Sequence, residues 1–192
     1  LNNERINEIA FAAEHVFHSN PSGIDNTVST FGGMVLFEKN MPGGKNKTEK
    51  LKPKKPLLVV IGNTKIIHDT GETVKFVSAQ KEKHHKKFEQ IFGQYNAVLN
   101  EAKKALLNGN EKKTGELMNK NHQLLQEIGV SSKELDLLCT TALDAGALGA
   151  KLTGAGMGGC MFALAKDKES QKKIARSFEK EGFEAFITKV GA

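Results

Sequence analysis

"AKLTGAGMGGCMFALA", residues 150–165, decides how the rest of the chain is read. Gly154, Gly156, Gly158 and Gly159 fall within six positions, with an apolar stretch on each side. Glycine lets the backbone take positive φ and come close to a ligand. Successive N–H groups in such a turn can converge on anionic oxygens. Spacing alone leaves two readings open: a tight hairpin turn between buried strands, or a loop that contacts phosphate. No Gly-Lys-Ser/Thr comes after the glycines, so this is not a Walker loop. Residues 160–165 read as a strand rather than a helix, so it is not a dinucleotide fingerprint either.

Outward from this hairpin, "LLVVIG", residues 57–62, is a continuous apolar run of buried-strand type. Helical patterns cover about 71–80, 85–108, 111–127 and 131–146, with stops at Asn108-Gly109 and Gly129. Ser131 with Glu134 has the form of a capping box. An amphipathic helix over 168–181 ends near Gly182, and "FEAFITKV", 183–190, reads as the last strand. Strand, helices, strand, strand, helix, strand predicts an α+β fold: an antiparallel sheet with helices on one face. Upstream, Ile6, Ile9, Ala10, Ala13, Val16 and Phe17 recur at helical spacing over 3–18. Asn20-Pro21 stops that helix. Residues 22–30 start a second short one, Gly32-Gly33 breaks it, and "MVLFE", 34–38, reads as a strand. The expected organisation is the tail of one domain over 1–56 and a second domain over 57–192. The start at Leu1, inside a helical pattern, suggests a processed, truncated or split polypeptide.

Composition narrows the class. The 192 residues are 39% hydrophobic, 26% charged and 6% aromatic, an ordinary globular mix. No run of eighteen apolar residues and no signal peptide occurs, so neither a membrane nor export is expected, and the setting is cytoplasmic. Cys139 and Cys160 lack metal or redox spacing and read as buried, reduced thiols. The formal charge of +6 sits largely in "KNKTEKLKPKK", 45–55, and "KEKHHKK", 81–87. Neither run interleaves aromatics, so no nucleic-acid partner is expected. The first reads as a solvated hairpin tip or insertion, the second as the wet face of a helix that could draw in an anionic substrate.

"NPSGIDNTVSTFGG", 20–33, holds Asp25 on a sharply turned piece of chain. Taken alone, Asp25 either caps a helix, closes a turn, or serves a reaction. Glu14 alone is a surface helix residue at the flank of the apolar stripe, where it could border a cleft. Together with "IGNTKIIHDT", "NHQLLQEIGVS" and "GALGAKLTGAGMGGC", these stretches closely resemble the mevalonate kinase family of the GHMP small-molecule kinases. The resemblance covers essentially the whole chain apart from the lysine-rich tip. It implies the tail of the family's N-terminal domain, followed by a ferredoxin-like C-terminal domain. It implies an enzyme that phosphorylates mevalonate with ATP and Mg²⁺ in isoprenoid precursor synthesis. Another alcohol acceptor, such as phosphomevalonate, and a non-catalytic ligand-binding relative are the alternatives. Asp25 would be the catalytic base or charge partner at the acceptor hydroxyl, and Glu14 would help hold Mg²⁺. Ser22, Gly23, Thr27 and Thr70 would line the acceptor site. Gly154, Ala155, Gly156 and Gly158 would approach the phosphates. His68 belongs to a loop near the site, His122 reads as a packed helix histidine, and His84 and His85 as solvent-facing. The family's lysine-bearing first strand and its Pro-x-x-x-Gly-Leu-Gly-Ser-Ser loop do not occur in these residues. The resemblance therefore implies a partner, the N-terminal kinase half, without which the chain is expected to be inactive. A homodimer is compatible with it.

Overall fold

In the computed structural model, which describes residues 1–17, 21–40 and 46–191, the chain divides at Lys52–Pro53 into two units. One is Leu1–Lys52 with Gly191, the other Pro53–Val190.

The first unit begins with α1 (Asn3–Phe17) and α2 (Ile24–Phe31). Gly32 and Gly33, at φ 64° and 76°, turn the chain out of α2 into β1 (Met34–Glu38). β1 pairs antiparallel with β2 (Lys47–Leu51), from Met34 opposite Leu51 to Glu38 opposite Lys47. β2 lies inside the lysine-rich stretch that reads in sequence as a solvated hairpin tip or insertion: it is solvated and belongs to a hairpin, but as one of its strands rather than its tip; residues 41–45 lie outside the described residues. Its sequence, Lys-Thr-Glu-Lys-Leu, is mostly exposed and has no apolar alternation to announce a strand. The apolar stripe of α1 is not a core either: Ile6, Ile9 and Val16 are 41%, 49% and 79% exposed.

The second unit carries β3 (Leu57–Asn63), α3 (Thr70–Lys83), α4 (His85–Asn108), α5 (Glu111–Glu127), α6 (Lys133–Asp144), β4 (Gly149–Leu152), β5 (Cys160–Ala165), α7 (Lys168–Lys180) and β6 (Glu184–Val190). Its sheet runs β4-β5-β3-β6, antiparallel throughout. This is the antiparallel α+β arrangement the element order predicts. Register puts Val60 beside Ala163, and Gly62 beside Met161. That face packs on α6 and α7 through Leu138, Ile174 and Phe178, all at 0% exposure like Val60. Burying each such side chain is worth about 1.5–3 kcal/mol. Gly62 is where the two helices press closest: a Cβ there would lie 3.0 Å from both Leu138 and Phe178. Gln171 of α7 donates to the carbonyls of Val59 and Thr188, at 2.9 and 2.6 Å, pinning the helix to β3 and β6.

The helix ends follow their sequence signals with one correction. α4 stops at Gly109 in the left-handed region, and Asn110 caps α5 by accepting the Lys113 N–H at 3.0 Å. α6 is capped by Ser132, which accepts the Leu135 N–H, rather than by Ser131 as the capping-box pattern suggests. The Ser131 hydroxyl is committed to Asp136.

α5 covers the open edge of β4, which would otherwise present unpaired N–H groups. Gly115 and Gly149 let the two backbones touch; a Cβ on either would run into the other element's main chain. Asn119 Oδ1 then accepts the Ala150 N–H at 2.8 Å. Cys139 is buried and Cys160 half-buried; desolvation, then Asp136, pushes the Cys139 thiol up to about 12, so it stays protonated. Among the described residues, no helix is long and apolar enough to cross a membrane.

Candidate active site

The glycine loop joins β4 to β5, and the Thr153 N–H to Cys160 carbonyl bond closes it at 3.0 Å. Gly154, Gly156, Gly158 and Gly159 all have positive φ, from 71° to 147°. Met157, at φ 58°, is held in the left-handed region too, an unfavourable place for a side chain. What holds it is a bond from its N–H to the Val130 carbonyl at 2.7 Å. Gly156 makes room for that carbonyl, since a Cβ there would collide with it. On the other side, the Gly159 N–H donates to the Ile66 carbonyl at 2.8 Å, and the Gly159 carbonyl accepts from the Thr64 N–H and hydroxyl, both at 2.9 Å. A Cβ on Gly158 would sit 2.7 Å from the Ile66 oxygen. The loop is thus clamped between the α5–α6 connection and the segment after β3. Among the described residues the N–H groups of Gly154, Ala155 and Gly158 have no hydrogen-bond partner, and such donors suit anionic oxygens.

The segment after β3 forms the other wall. Lys65, at φ 60°, donates its N–H to Asn63 Oδ1 at 2.9 Å, and its ammonium lies 3.1 Å from Glu184. Asp69 caps α3 through the Glu72 N–H at 3.0 Å, which sets Thr70 at the first helical position. The ring of His68 meets the Thr73 hydroxyl at 3.1 Å. Thr70, His68, Lys65 and the glycine loop line one cavity of about 750 Å³. Four of the expected phosphate-side residues, Gly154, Ala155, Gly156 and Gly158, therefore share a cavity with Thr70. A second groove, of about 900 Å³, runs along α7 beside the end of α6 and is lined mainly by charged side chains of both signs.

In the first unit, three successive carbonyls of the Asp25 loop each take a side-chain donor. Lys39 Nζ reaches Pro21 at 3.2 Å, Asn46 Nδ2 reaches Ser22 at 3.2 Å, and Thr27 Oγ1 reaches Gly23 at 2.6 Å. The Ser22 hydroxyl accepts the Ile24 N–H at 3.2 Å, and Thr27 is buried with its hydroxyl committed inside the loop. Gly23, at φ 86°, holds the N-cap position of α2. The capping alternative for Asp25 is therefore excluded: it lies within the first turn of α2, exposed. A carboxylate there is favoured by the helix dipole.

Glu14 is half-exposed on α1. Asn7, Phe11 and Glu14 share one face of that helix by its periodicity. Asn7 accepts from Asn26 Nδ2 at 2.7 Å, and the Phe11 ring stands 3.2 Å from where a Cβ on Gly23 would lie. The face bearing Glu14 is thus turned toward the Asp25 loop, while Asn26 Oδ1 is buried with no partner among the described residues. Carboxylate oxygens are the donors Mg²⁺ takes, and it commonly uses one or two of them plus waters. Among the described residues no three His, Cys, Asp or Glu side chains gather as a cage.

Thr64, Ile66 and Val130, which clamp the glycine loop, carry no signal that sequence reasoning could use, because their bonds, all from backbone groups apart from the Thr64 hydroxyl, reach across 27 to 95 residues. His122 is buried and hydrogen-bonded, as a packed helix histidine should be.

Residues 102–185 match the family model for the C-terminal domain of the GHMP kinases. A mevalonate kinase from Thermococcus gammatolerans is 41% identical over 180 residues, 91% of this chain and 52% of that protein. The Arabidopsis thaliana mevalonate kinase is 30% identical over 99% of this chain and 50% of its own length. The structure of L. major mevalonate kinase in complex with R-mevalonate matches 99% of this chain and 59% of that one, with a TM-score of 0.93 and 33% identity. The chain spans about half the length of the curated relatives it matches. Residues 102–185, which carry the clamped glycine loop, thus match the C-terminal domain of the GHMP kinases.

Proposed function

We propose that the chain is the acceptor-side and C-terminal portion of a kinase that moves the γ-phosphoryl group of ATP to the terminal hydroxyl of mevalonate. The observation that carries this is the likeness to the R-mevalonate-bound L. major enzyme, which extends over 99% of the chain and so includes both the Asp25 loop and the glycine loop.

Phosphoryl transfer asks mainly for positioning and for neutralisation of charge. Asp25 orients the acceptor hydroxyl and takes its proton as the new O–P bond forms. The P–O bond to the β-phosphate breaks, and ADP leaves. Lys39, Asn46 and Thr27 keep the Asp25 loop rigid by satisfying its carbonyls. Ser22 and Gly23 shape its surface, and Thr70 presents a hydroxyl to the acceptor. The N–H groups of Gly154, Ala155 and Gly158 meet phosphate oxygens, with Gly156 allowing the close approach. Mg²⁺, when bound with Glu14 among its ligands, neutralises phosphate charge. The Gly-Leu-Gly-Ser-Ser nucleotide loop is supplied in this reading by sequence beyond these 192 residues, in the N-terminal half of the kinase.

ADP release by the full-length kinase should be followed with mevalonate, phosphomevalonate, galactose and homoserine. Mevalonate should give the highest kcat/KM, by about 10²-fold or more, the discrimination expected of sites that pair each substrate polar group. A preference for phosphomevalonate would reassign the acceptor. No turnover with any alcohol would favour a ligand-binding relative.

A further inference from the structure

One buried polar cluster touches the glycine loop at both its entry and its tip. His122 of α5 is 6% exposed, and its Nδ1 accepts the Leu152 N–H at 3.4 Å, at the last residue of β4 before the loop. An accepting Nδ1 must be bare, which puts the proton of the neutral ring on Nε2. Nε2 lies 3.2 Å from Asp136 Oδ1, close but out of line for a full hydrogen bond. The same Asp136 oxygen accepts the Ser131 hydroxyl at 2.5 Å. Ser131 follows Val130, whose carbonyl holds the Met157 N–H at the loop tip. The imidazole therefore holds the entry strand directly, and its Nε2 stands beside the Asp136–Ser131–Val130 series that reaches the tip.

We propose that His122, acting with Asp136 and Ser131, is a positioning residue for the glycine loop, its neutral Nε2-protonated ring fixing the backbone that leaves the Gly154, Ala155 and Gly158 N–H groups open to phosphate. The inference rests on the reading of that loop as the phosphate contact. Protonation would turn Nδ1 into a donor facing the Leu152 N–H. That bond would be lost, and a buried N–H would be left unpaired at the loop entry.

The surroundings favour the neutral ring at ordinary pH. Burial lowers the His122 pKa first; Asp136 of α6 opposes this, and Lys151 of β4 adds to it. The Lys151 ammonium donates to the Leu152 carbonyl at 2.6 Å, and the protonated Cys139 thiol of α6 lies in the field of both Lys151 and Asp136. On the α4 side, the charged pair is Glu101 with Lys113, nine residues earlier along α5. A proton on His122 thus meets a single carboxylate in the cluster, already shared with Ser131.

Two variants of the full-length kinase separate this role from packing. His122→Asn keeps a short acceptor that cannot titrate; His122→Phe keeps a ring without an acceptor. Hydrogen exchange of the amides over 153–159, and kcat/KM for ATP, are measured from pH 5 to 8. In the wild type, as pH falls, the protection factors of the loop amides (exchange corrected for its intrinsic pH dependence) and kcat/KM should drop together, with a midpoint below 6.5. His122→Phe should show fast loop exchange at pH 7.5 and a kcat/KM lower by up to about 10²-fold, the scale of a misplaced catalytic backbone. His122→Asn should restore slow exchange at pH 7.5 and abolish the acid limb. An acid limb unchanged in His122→Asn, or loop exchange indifferent to both substitutions, would overturn the proposal. Loop exchange that responds while kcat/KM for ATP does not would instead overturn the phosphate reading beneath it.

Discussion

The Asp25 loop and the glycine loop are both turns shaped by glycine, yet they are fastened in opposite ways. Lys39, Asn46 and Thr27 side chains hold the first by its carbonyls. Backbone groups of Val130, Ile66 and Thr64, with one side-chain bond from the Thr64 hydroxyl, hold the second. The foundations differ too. The glycine loop rises from a sheet packed on residues at zero exposure, whereas the unit bearing Asp25 leaves Ile6, Ile9, Val16, Ile24 and Val28 open. A side-chain anchor can be deleted one at a time. A backbone anchor can be broken only by filling the space that glycine leaves for it, so the two loops should fail differently.

The largest effect is expected where two backbones touch. Gly115→Val would drive a branched side chain into the Leu148 carbonyl and part α5 from β4. Denaturant unfolding should show a loss of more than about 4 kcal/mol, or no folded second unit at all. Gly156→Ala comes next. Its φ of 87° disfavours any side chain, and the new methyl would expel the Val130 carbonyl. The cost should be about 1–3 kcal/mol, with a weakening of ATP affinity measured by titration calorimetry in the full-length kinase. If Gly156→Ala binds ATP as tightly as the wild type, backbone clamping is irrelevant to the nucleotide.

The third effect is pH dependence. His122 has a depressed pKa in the folded chain, so the folded state takes up its proton less readily than the unfolded state. Its contribution to stability is fully present above the unfolded value near 6.5 and is lost as pH falls through the lower folded value. Urea midpoints should therefore drop as pH falls below 6.5 in the wild type, and less so in His122→Asn. The smallest effect belongs to the other loop. Asn46→Ala removes one of three side-chain anchors and should cost about 0.5–1.5 kcal/mol, read as a small shift in the unfolding midpoint. A loss there as large as for Gly156→Ala would erase the distinction between the two loops.

The same contrast explains what the sequence discloses. α4 and α5 begin and end where the pattern places them, because Asn108-Gly109 and Asn110 are local signals. The β4–β5 hairpin is legible because apolar runs flank the glycines. β2 is not, since a strand of lysine, threonine and glutamate has no period to detect. The cap of α6 slips by one residue because Ser131 and Ser132 carry the same group, and only Asp136 decides which is free. The glycines around 156 are visible in sequence, but the carbonyls they admit are not. Asp25 stands out by its neighbours, while the three donors that steady its loop come from positions 27, 39 and 46 and share no motif.

The most direct test of the account is Asp25→Asn in the full-length kinase, with kcat, KM for mevalonate and the melting temperature measured side by side. Asp25 is exposed, so the melting temperature should hold, KM should shift little, and kcat should fall by about 10²–10⁴-fold, the usual scale for a lost general base. A variant that folds equally well and turns over mevalonate at the wild-type rate would contradict the account at its centre.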